Sequence, residues 1–405
     1  MSRVNKKKFV SLFSGCGGLD LGFTMAGFQC VGAYDKDKKV LRVHKKNINC
    51  SVTETVDLSL ENLDLSTPRA EILVAGPPCQ GFSTAGKMKE DDERNSLLQV
   101  VARISKNAKP KVIVVENVPG LKSAKMLHHH DKLINNLKKL NYRVETHICN
   151  SIDYGVPQRR ERLFIIAWNN ELQFTHNIDF QDMWKKVSVN EALAGIDQNT
   201  SNHIPKPLSL NTKDFLIASH IQSGQKLCDV RGGPNSIHTW NIPEVFGETD
   251  DEEKEILESI RLLRRKERRR TYGDSDPVFP DIIKKNVSFP LEMQIETLIE
   301  KGYLCKKGDG IDLTHSFNGW YRRLNGTGAS PTVDTRFGRP KYFLHPTEHR
   351  GLTVREAARL QTFPDDFIFD GTDSEQYRMI GNAVPPEMAK TIALYIHNNL
   401  LRKRI

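Results

Sequence analysis

Short apolar runs separated by amphipathic stretches dominate the first part of the chain. The runs are 9–13, 30–34, 72–75, 112–116 and 163–168, with helical patterns between them, as at 97–107 and 133–140. Strands that alternate with helices predict a parallel sheet with crossover helices. Nearly continuous apolar strands indicate a sheet covered on both faces. The pattern therefore predicts an α/β fold.

Regular periodicity weakens over residues 170–325, where one helix at 250–271 stands out. Its first turns are acidic and its last turns are basic, which suits the helix dipole. A solvated helix explains this ordering. Phosphate contacts explain it equally well, through Arg261, Arg264, Arg265, Arg268, Arg269 and Arg270.

A second helix at 291–301 precedes a hairpin with its turn at 308–310, which indicates a small winged module. Two more helices are predicted near the end of the chain. One spans 353–363 and is capped by Thr353, and the other spans 385–401 and begins with proline.

Composition narrows the class of protein only slightly. The 405 residues carry a net charge of +9, which permits a polyanionic partner without requiring one. The apolar runs are too short for a membrane span or a signal peptide, so a cytoplasmic protein is expected. The seven cysteines form no CxxC pair, which favours reduced thiols over disulfides or a metal site. The three consecutive histidines at 128–130 are expected to form a solvated turn rather than a metal site.

The segment ILVAGPPCQGFS places Cys79 just after a predicted buried strand. Ligands bind at the carboxyl ends of parallel strands, and Pro77 and Pro78 restrict the backbone that leads to the sulfur. This setting suits a nucleophile. Alternatively, Cys79 is a small buried residue of the core, because free cysteine is often fully buried.

A glycine-rich turn follows the first strand, in FSGCGGLDLGF. Gly15, Gly17 and Gly18 permit a tight turn and close approach of a ligand to a helix start. Asp35 ends the second strand, where a carboxylate can hold ribose hydroxyls. These features predict an adenosine-containing cofactor and do not distinguish NAD from S-adenosylmethionine. Asp57 is either a turn residue or a partner of the adenine amino group.

Charged residues also occur at the ends of later strands. Glu116 is expected at the same sheet edge as Cys79, as a reactive group, a helix cap or an ion-pair partner. Arg160 and Arg162 would share one face of an extended segment. They could hold an anion or polar ligand, or simply begin an exposed charged strand.

Six motifs resemble, in order and spacing, those of bacterial restriction–modification DNA (cytosine-5) methyltransferases. They are FSGCGG, GPPCQGFS, ENVPG, YGVPQRRERLF, RRLNGTGASPTV and QYRMIGNAVPP. The resemblance implies a Rossmann-like domain that uses S-adenosylmethionine, split into 1–172 and 327–405. Residues 173–326 would form a smaller, irregular target-recognition domain.

The resemblance also implies the chemistry. Cys79 would add to C6 of a flipped-out cytosine, and Glu116 would hold N3 and the exocyclic amine. Arg162 would contact the base carbonyl and Arg160 would support the loop and the thiolate. The cofactor residues would be Phe13, Gly15, Gly17, Gly18, Asp35, Asp57, Pro78, Asn382 and Ala383; many relatives have serine at the last position.

Residues expected to contact DNA lie in two regions. Gln80, Ser83, Lys87 and Lys89 flank the proposed nucleophile, and Arg231, Arg264 and Arg268 lie in the variable region, where loops 231–234 and 238–240 are candidates for base contacts. The partners implied are duplex DNA and a cognate restriction endonuclease, and the protein is expected to be a monomer without a metal. A tRNA methyltransferase and a non-catalytic DNA-binding regulator are the alternative functions.

Overall fold

The computed structural model of the protein describes residues 6–60, 65–78, 97–174, 176–180, 185–271, 275–314 and 318–401. The chain divides into two compact units. Unit 1 comprises Met1–His203, Thr327–Thr335 and Val354–Ile405, and unit 2 comprises Ile204–Gly326 and Arg336–Thr353. Among the described residues, no helix combines the length and the apolar character that crossing a membrane requires.

Unit 1 contains a seven-stranded sheet of order β3-β2-β1-β4-β5-β7-β6. The strands are β1 (Lys8–Leu12), β2 (Gln29–Asp35), β3 (Thr53–Thr55), β4 (Ile72–Ala75), β5 (Val112–Asn117), β6 (Tyr142–Asn150) and β7 (Glu161–Asn169). The first five are parallel. The five strands expected from the apolar runs correspond to β1, β2, β4, β5 and β7 and are confirmed.

The prediction of a wholly parallel sheet is wrong at one edge. β7 runs antiparallel to both β5 and β6. Parallel neighbours need a long crossover connection, whereas only Ser151–Tyr154, a single 3₁₀ turn, lies between β6 and β7 among named elements. The chain therefore turns back on itself here.

Helices cover both faces of the sheet. The helices of unit 1 are α1 (Gly18–Met25), α2 (Lys38–Asn47), α3 (Leu97–Ala108), α4 (Leu127–Lys139), α5 (Val189–Leu193), α11 (Val354–Leu360), α12 (Asp373–Asn382) and α13 (Pro386–Tyr395). Val10 packs into the core that α3 and α4 share. Its neighbour Phe9 contacts Phe23 of α1, because successive strand residues face opposite ways. The histidine triplet begins in the first turn of α4 rather than in a solvated turn, and His130 is buried.

Unit 2 is built from short elements. They are α6 (Lys213–His220), β8 (Lys226–Cys228), β9 (Ser236–Ile237), α7 (Pro243–Phe246), α8 (Asp251–Lys266), α9 (Pro280–Lys284), α10 (Glu292–Lys301), β10 (Leu304–Lys307), β11 (Gly310–Leu313), β12 (Asn318–Trp320), β13 (Arg322–Arg323) and β14 (Phe343–Leu344). α8, α10 and the β10–β11 hairpin share one apolar core, and the predicted hairpin turn is confirmed.

The two units depart from the expected domain boundaries in two places. Residues 173–203 fall in unit 1, because α5 packs against α11 and Val189 N–H donates to Gly328 O. Residues 336–353 fall in unit 2, because β14 pairs in parallel with β13. After residue 326 the chain therefore returns to unit 1, enters unit 2 again at residue 336 and returns to unit 1 at residue 354.

Asp229 is a buried carboxyl group of unit 2, and its ionisation is expected to couple the stability of this unit to pH. Its oxygens accept hydrogen bonds from Thr239 N and Thr239 Oγ1, and burial raises the pKa of Asp229 to about 7. Because the folded pKa exceeds the unfolded value of 3.8, the unfolding free energy contributed by this group falls as pH rises from about 4 to about 7. At pH 8, Asp229→Asn should therefore raise the unfolding free energy by roughly 1–3 kcal/mol.

Thermal melts at pH 5 and pH 8 test this expectation. The variant should gain stability at pH 8 and little at pH 5. Asp309→Asn, at the exposed turn of the β10–β11 hairpin, is the control and should show no such difference. An equal change at both pH values would show that Asp229 is ionised throughout.

Candidate active site

The glycine-rich turn joins β1 to α1 through three residues with left-handed backbone. Phe13, Gly15 and Gly17 have φ values of 55°, 56° and 101°. Gly18 then begins α1, where a Cβ would lie 2.4 Å from Val384 O. Only glycine fits this approach, so the turn brings the start of α1 against the segment that precedes α13.

Two aspartates lie near this turn. Asp35 Oδ2 accepts from Gly15 N at 2.9 Å, and Oδ1 accepts from Asp37 N. Burial raises the pKa of Asp35, while these hydrogen bonds act in the opposite direction. Asp57 is exposed and bonds both Ser59 N and Ser59 Oγ, which lowers its pKa. Asp57 is therefore a turn residue, and it also faces the cavity described below.

Glu116 lies beside the backbone that leads to Cys79. A Cβ on Gly76 would lie 3.8 Å from Glu116 Oε2. Arg162 Nε donates to Glu116 Oε1 at 2.9 Å, because β7 runs alongside β5. Burial nevertheless raises the pKa of Glu116, against the opposing effect of Arg162 and Arg160. The result is a carboxyl group that retains its proton to a higher pH than an ordinary glutamate.

Arg160 has a different partner set from Arg162. Its side chain is buried and donates to the carbonyl oxygens of Val333, Gly381 and Ala383, at 2.8–3.1 Å. It therefore joins the start of β7 to the last part of the chain. Both arginines line the cavity described below, but Arg160 donates to backbone carbonyls whereas Arg162 donates to Glu116.

Arg160→Lys should lower the stability of unit 1, because an ammonium cannot reach three carbonyls in a fixed fork. The lost charged hydrogen bonds should cost about 3 kcal/mol. The measurement is thermal melting. Arg159→Lys, at the neighbouring exposed position, is the control and should behave as wild type. Equal melting temperatures for the two variants would refute the role of Arg160.

One cavity of about 390 Å³ gathers most of the predicted site residues. Its lining includes Phe13, Gly15, Gly18, Asp35, Asp57, Pro78, Glu116, Arg160, Arg162, Asn382 and Ala383. Gly17 does not line the cavity, and its left-handed backbone instead contributes to the turn before α1. Cys79, Gln80, Ser83, Lys87 and Lys89 lie outside the described residues.

Two buried polar residues that bond to cavity-lining segments were not predicted from the sequence. Asn117 is buried and its Nδ2 donates to Pro77 O at 3.4 Å, which ties the end of β5 to the prolines before Cys79. Gln361 Nε2 donates to Ile380 O, and its Oε1 accepts from Gln158 at 2.5 Å. Each of the two is a polar residue next to apolar residues in the sequence, and this was the signal that could have identified it.

The comparisons with known proteins agree with this geometry. The model of the C-5 cytosine-specific DNA methylase family matches residues 7–398. The chain belongs to this family. This membership confirms the resemblance to DNA cytosine-5 methyltransferases that the sequence motifs predicted.

Similar curated proteins are named type II methyltransferases, and they align with this chain over most of their length. Type II methyltransferase M.HgiCII of Herpetosiphon aurantiacus is 31% identical, with 97% of each chain covered. M.NgoFVII of Neisseria gonorrhoeae is 31% identical, covering 98% of this chain and 89% of the relative. A crystal structure described as a prophage-encoded DNA modification methyltransferase from E. coli aligns with a TM-score of 0.60 at 25% identity, covering 98% of this chain and 100% of that one. An Entamoeba histolytica methyltransferase, 18% identical with a TM-score of 0.53 over 98% of this chain and 100% of that one, shows the same fold.

In this methylase, the arginines expected to contact DNA divide into two groups. Arg231 and Arg268 are exposed. Arg264 is not available to a phosphate, because its side chain is buried and its Nε donates to Asp312 Oδ1 at 2.9 Å. It lies on the inner face of α8, and Arg268 follows the end of that helix.

The loop expected at 238–240 is also corrected. Trp240 is buried and stacks on His238, whose Nδ1 lies 2.8 Å from Cys228 O. Thr239 is buried against Asp229. Thr239 and Trp240 therefore lie in the interior of unit 2, whereas His238 is partly exposed.

Proposed function

We propose that the enzyme transfers a methyl group from S-adenosylmethionine to C5 of cytosine in a specific duplex DNA sequence, through a covalent bond between Cys79 and C6 of the base. One observation carries the proposal. The glycine-rich turn, the Gly76–Pro78 segment that directly precedes Cys79 in sequence, and the Glu116–Arg162 pair all line a single cavity.

The cavity suits the proposed cofactor. Its volume lies in the range of small-molecule sites, and Gly15 has no atom within 4 Å of where a Cβ would stand, so the turn is open to a ligand. Asp35 offers acceptors for ribose hydroxyls, and Asp57 offers one for the adenine amino group. When bound, S-adenosylmethionine would supply an electrophilic methyl group on its sulfonium sulfur.

The residues of the chain supply the remaining chemistry. The thiolate of Cys79 adds to C6, while Glu116 gives its proton to N3, so that C5 becomes nucleophilic. After methylation, a base removes the proton from C5, the C5–C6 double bond forms again, and the C6–S bond breaks with its electrons returning to the sulfur of Cys79. Glu116 takes back the proton from N3, which restores both the neutral base and the protonated carboxyl group. The cations Arg160 and Arg162 on the cavity wall favour the thiolate, and Asn117 positions the prolines before it.

The base must leave the helix for this reaction, because C6 is covered in stacked DNA. Unit 2 would then select the sequence. The curated relatives are named type II methyltransferases, and on that basis we propose that methylation protects host DNA from a cognate restriction endonuclease.

Expression in a methylation-free host, with 5-methylcytosine mapped across the genome, tests the whole proposal. We expect every copy of one short sequence to be modified. Once that site is known, duplexes containing 5-fluorocytosine there should trap the enzyme on DNA. Methyl transfer to tRNA alone would identify an RNA methyltransferase, and DNA binding without any modification would identify a regulator; both would overturn the proposal.

The arginine assignments lead to a separate expectation for DNA affinity. Arg268→Ala should weaken binding to all sequences and reduce the slope of log K against log salt by about 1. Arg264→Ala should instead lower the melting temperature, because it leaves Asp312 buried with one partner fewer. Fluorescence anisotropy at several salt concentrations, together with thermal melts, separates the two effects. A salt slope unchanged in Arg268→Ala would exclude that residue from the DNA interface.

A further inference from the structure

Four potential metal ligands meet in unit 1, apart from the Glu116–Arg162 pair. We define the four-donor cluster as Asp20 of α1, Cys30 of β2, His44 of α2, and Cys50, which precedes β3. Donor atoms of Asp20, Cys30 and His44 lie within 4.8 Å of one another, and all three residues are buried. The Sγ atoms of Cys30 and Cys50 are 2.7 Å apart.

The backbone holds these donors together. Cys30 and Cys50 form an isolated parallel bridge, which places their side chains next to each other at the edge of the sheet. Asp20 Oδ1 accepts from Ser11 Oγ at 2.7 Å, and Asp20 Oδ2 lies 2.7 Å from His44 Nε2. Ser11 thus orients the carboxylate, as hydrogen-bond partners of metal ligands commonly do.

The side chain of His44 is fully buried and directs Nε2 at the Asp20 carboxylate. The opposite nitrogen, Nδ1, has no hydrogen-bond partner among the residues described. A cation shared with Asp20 would therefore bind at Nε2 of a neutral imidazole that carries its proton on Nδ1.

We propose that the four-donor cluster binds a zinc ion through the Cys30 and Cys50 thiolates, the His44 imidazole and the Asp20 carboxylate. Two sulfurs, one nitrogen and one oxygen form a donor set that Zn²⁺ prefers in tetrahedral sites, whereas Mg²⁺ and Ca²⁺ prefer oxygen. Binding releases the two thiol protons to solvent. On the metal the sulfurs would separate to roughly 3.7 Å, given Zn–S bonds of about 2.3 Å.

The ion would reach the site from the side of Cys50, the one partly exposed member of the cluster. Once bound, it would join α1, β2, α2 and the chain leading to β3. α1 begins at the glycine-rich turn and β2 ends at Asp35, so the metal would brace the cofactor side of the cavity. Its role is structural and is independent of the proposed methyl transfer.

Metal analysis of the full-length protein, purified with a non-chelating reductant, tests this inference. We expect about one zinc per chain. Co²⁺ added to the metal-free protein should give thiolate charge-transfer bands and the intense visible bands of tetrahedral coordination. Cys50→Ser and His44→Ala should lose both signals and melt at a lower temperature. Cys305→Ser and Cys79→Ala should keep both signals.

Three results would overturn the inference. One is folded wild-type protein with neither zinc nor tetrahedral Co²⁺ spectra. Another is undiminished zinc in both Cys50→Ser and His44→Ala, which would place the metal elsewhere. The last is metal-free protein whose non-reduced peptides carry a Cys30–Cys50 crosslink, which would identify a redox pair. Because the Co²⁺ titration uses wild-type protein, the test does not depend on any variant folding.

Discussion

Cys79→Ala is expected to lose at least about 10⁴-fold in methyl transfer, because no other group can form the bond to C6 that activates C5. The same variant should still bind its DNA, since Cys79 supplies the reaction rather than the phosphate contacts. Transfer of labelled methyl groups to the mapped sequence measures the first effect, and anisotropy measures the second.

Two variants make this experiment decisive. Cys79→Ser keeps the size of the side chain but replaces a thiolate by a weakly nucleophilic hydroxyl, so it should be nearly as inactive as alanine. Cys228→Ser, in unit 2, should retain activity and the 5-fluorocytosine adduct if it folds. An adduct that survives in Cys79→Ala would assign the nucleophile to another residue and refute the mechanism.

Glu116→Gln should lower kcat by about 10²–10⁴-fold, the usual contribution of a general acid. Glutamine has nearly the same shape and can still accept from Arg162, but it cannot transfer a proton to N3. Affinity for the DNA and for the methyl donor should change little. Glu161→Gln, at the exposed start of β7, is the matched control and should remain fully active.

The pH profile provides an independent test of Glu116. Burial raises its pKa, so the proton that N3 requires is retained to higher pH than on an ordinary carboxyl group. Activity should rise with pH as the Cys79 thiol ionises and fall as Glu116 loses its proton. In Glu116→Gln the limb due to Glu116 should disappear. A profile identical in shape to wild type would show that Glu116 does not titrate in the reaction.

The sequence predicted the parts of the fold that depend on local pattern. Unbroken apolar runs identify β1, β2, β4, β5 and β7, because both faces of such strands are covered. β6 was missed because its residues alternate with charges and it lies at the sheet edge. The direction of β7 was also missed, since an apolar run contains no information on the direction of its neighbour.

The burial of Arg264 on α8 could have been predicted from the sequence. Arg264 lies four residues after Ile260 and one after Leu263, and therefore on the apolar face of the helix. The basic composition of this turn concealed that placement. By contrast, the three carbonyls bound by Arg160 lie more than 170 residues away in sequence. No local pattern connects such positions, so only the structure identifies them.

The cavity wall is completed by residues 378–384, which precede α13, while its opposite wall is formed by the first strands. During synthesis the ribosome therefore delivers the nucleophile hundreds of residues before the last part of its pocket. The cavity therefore forms only after residues 378–384 have been synthesised.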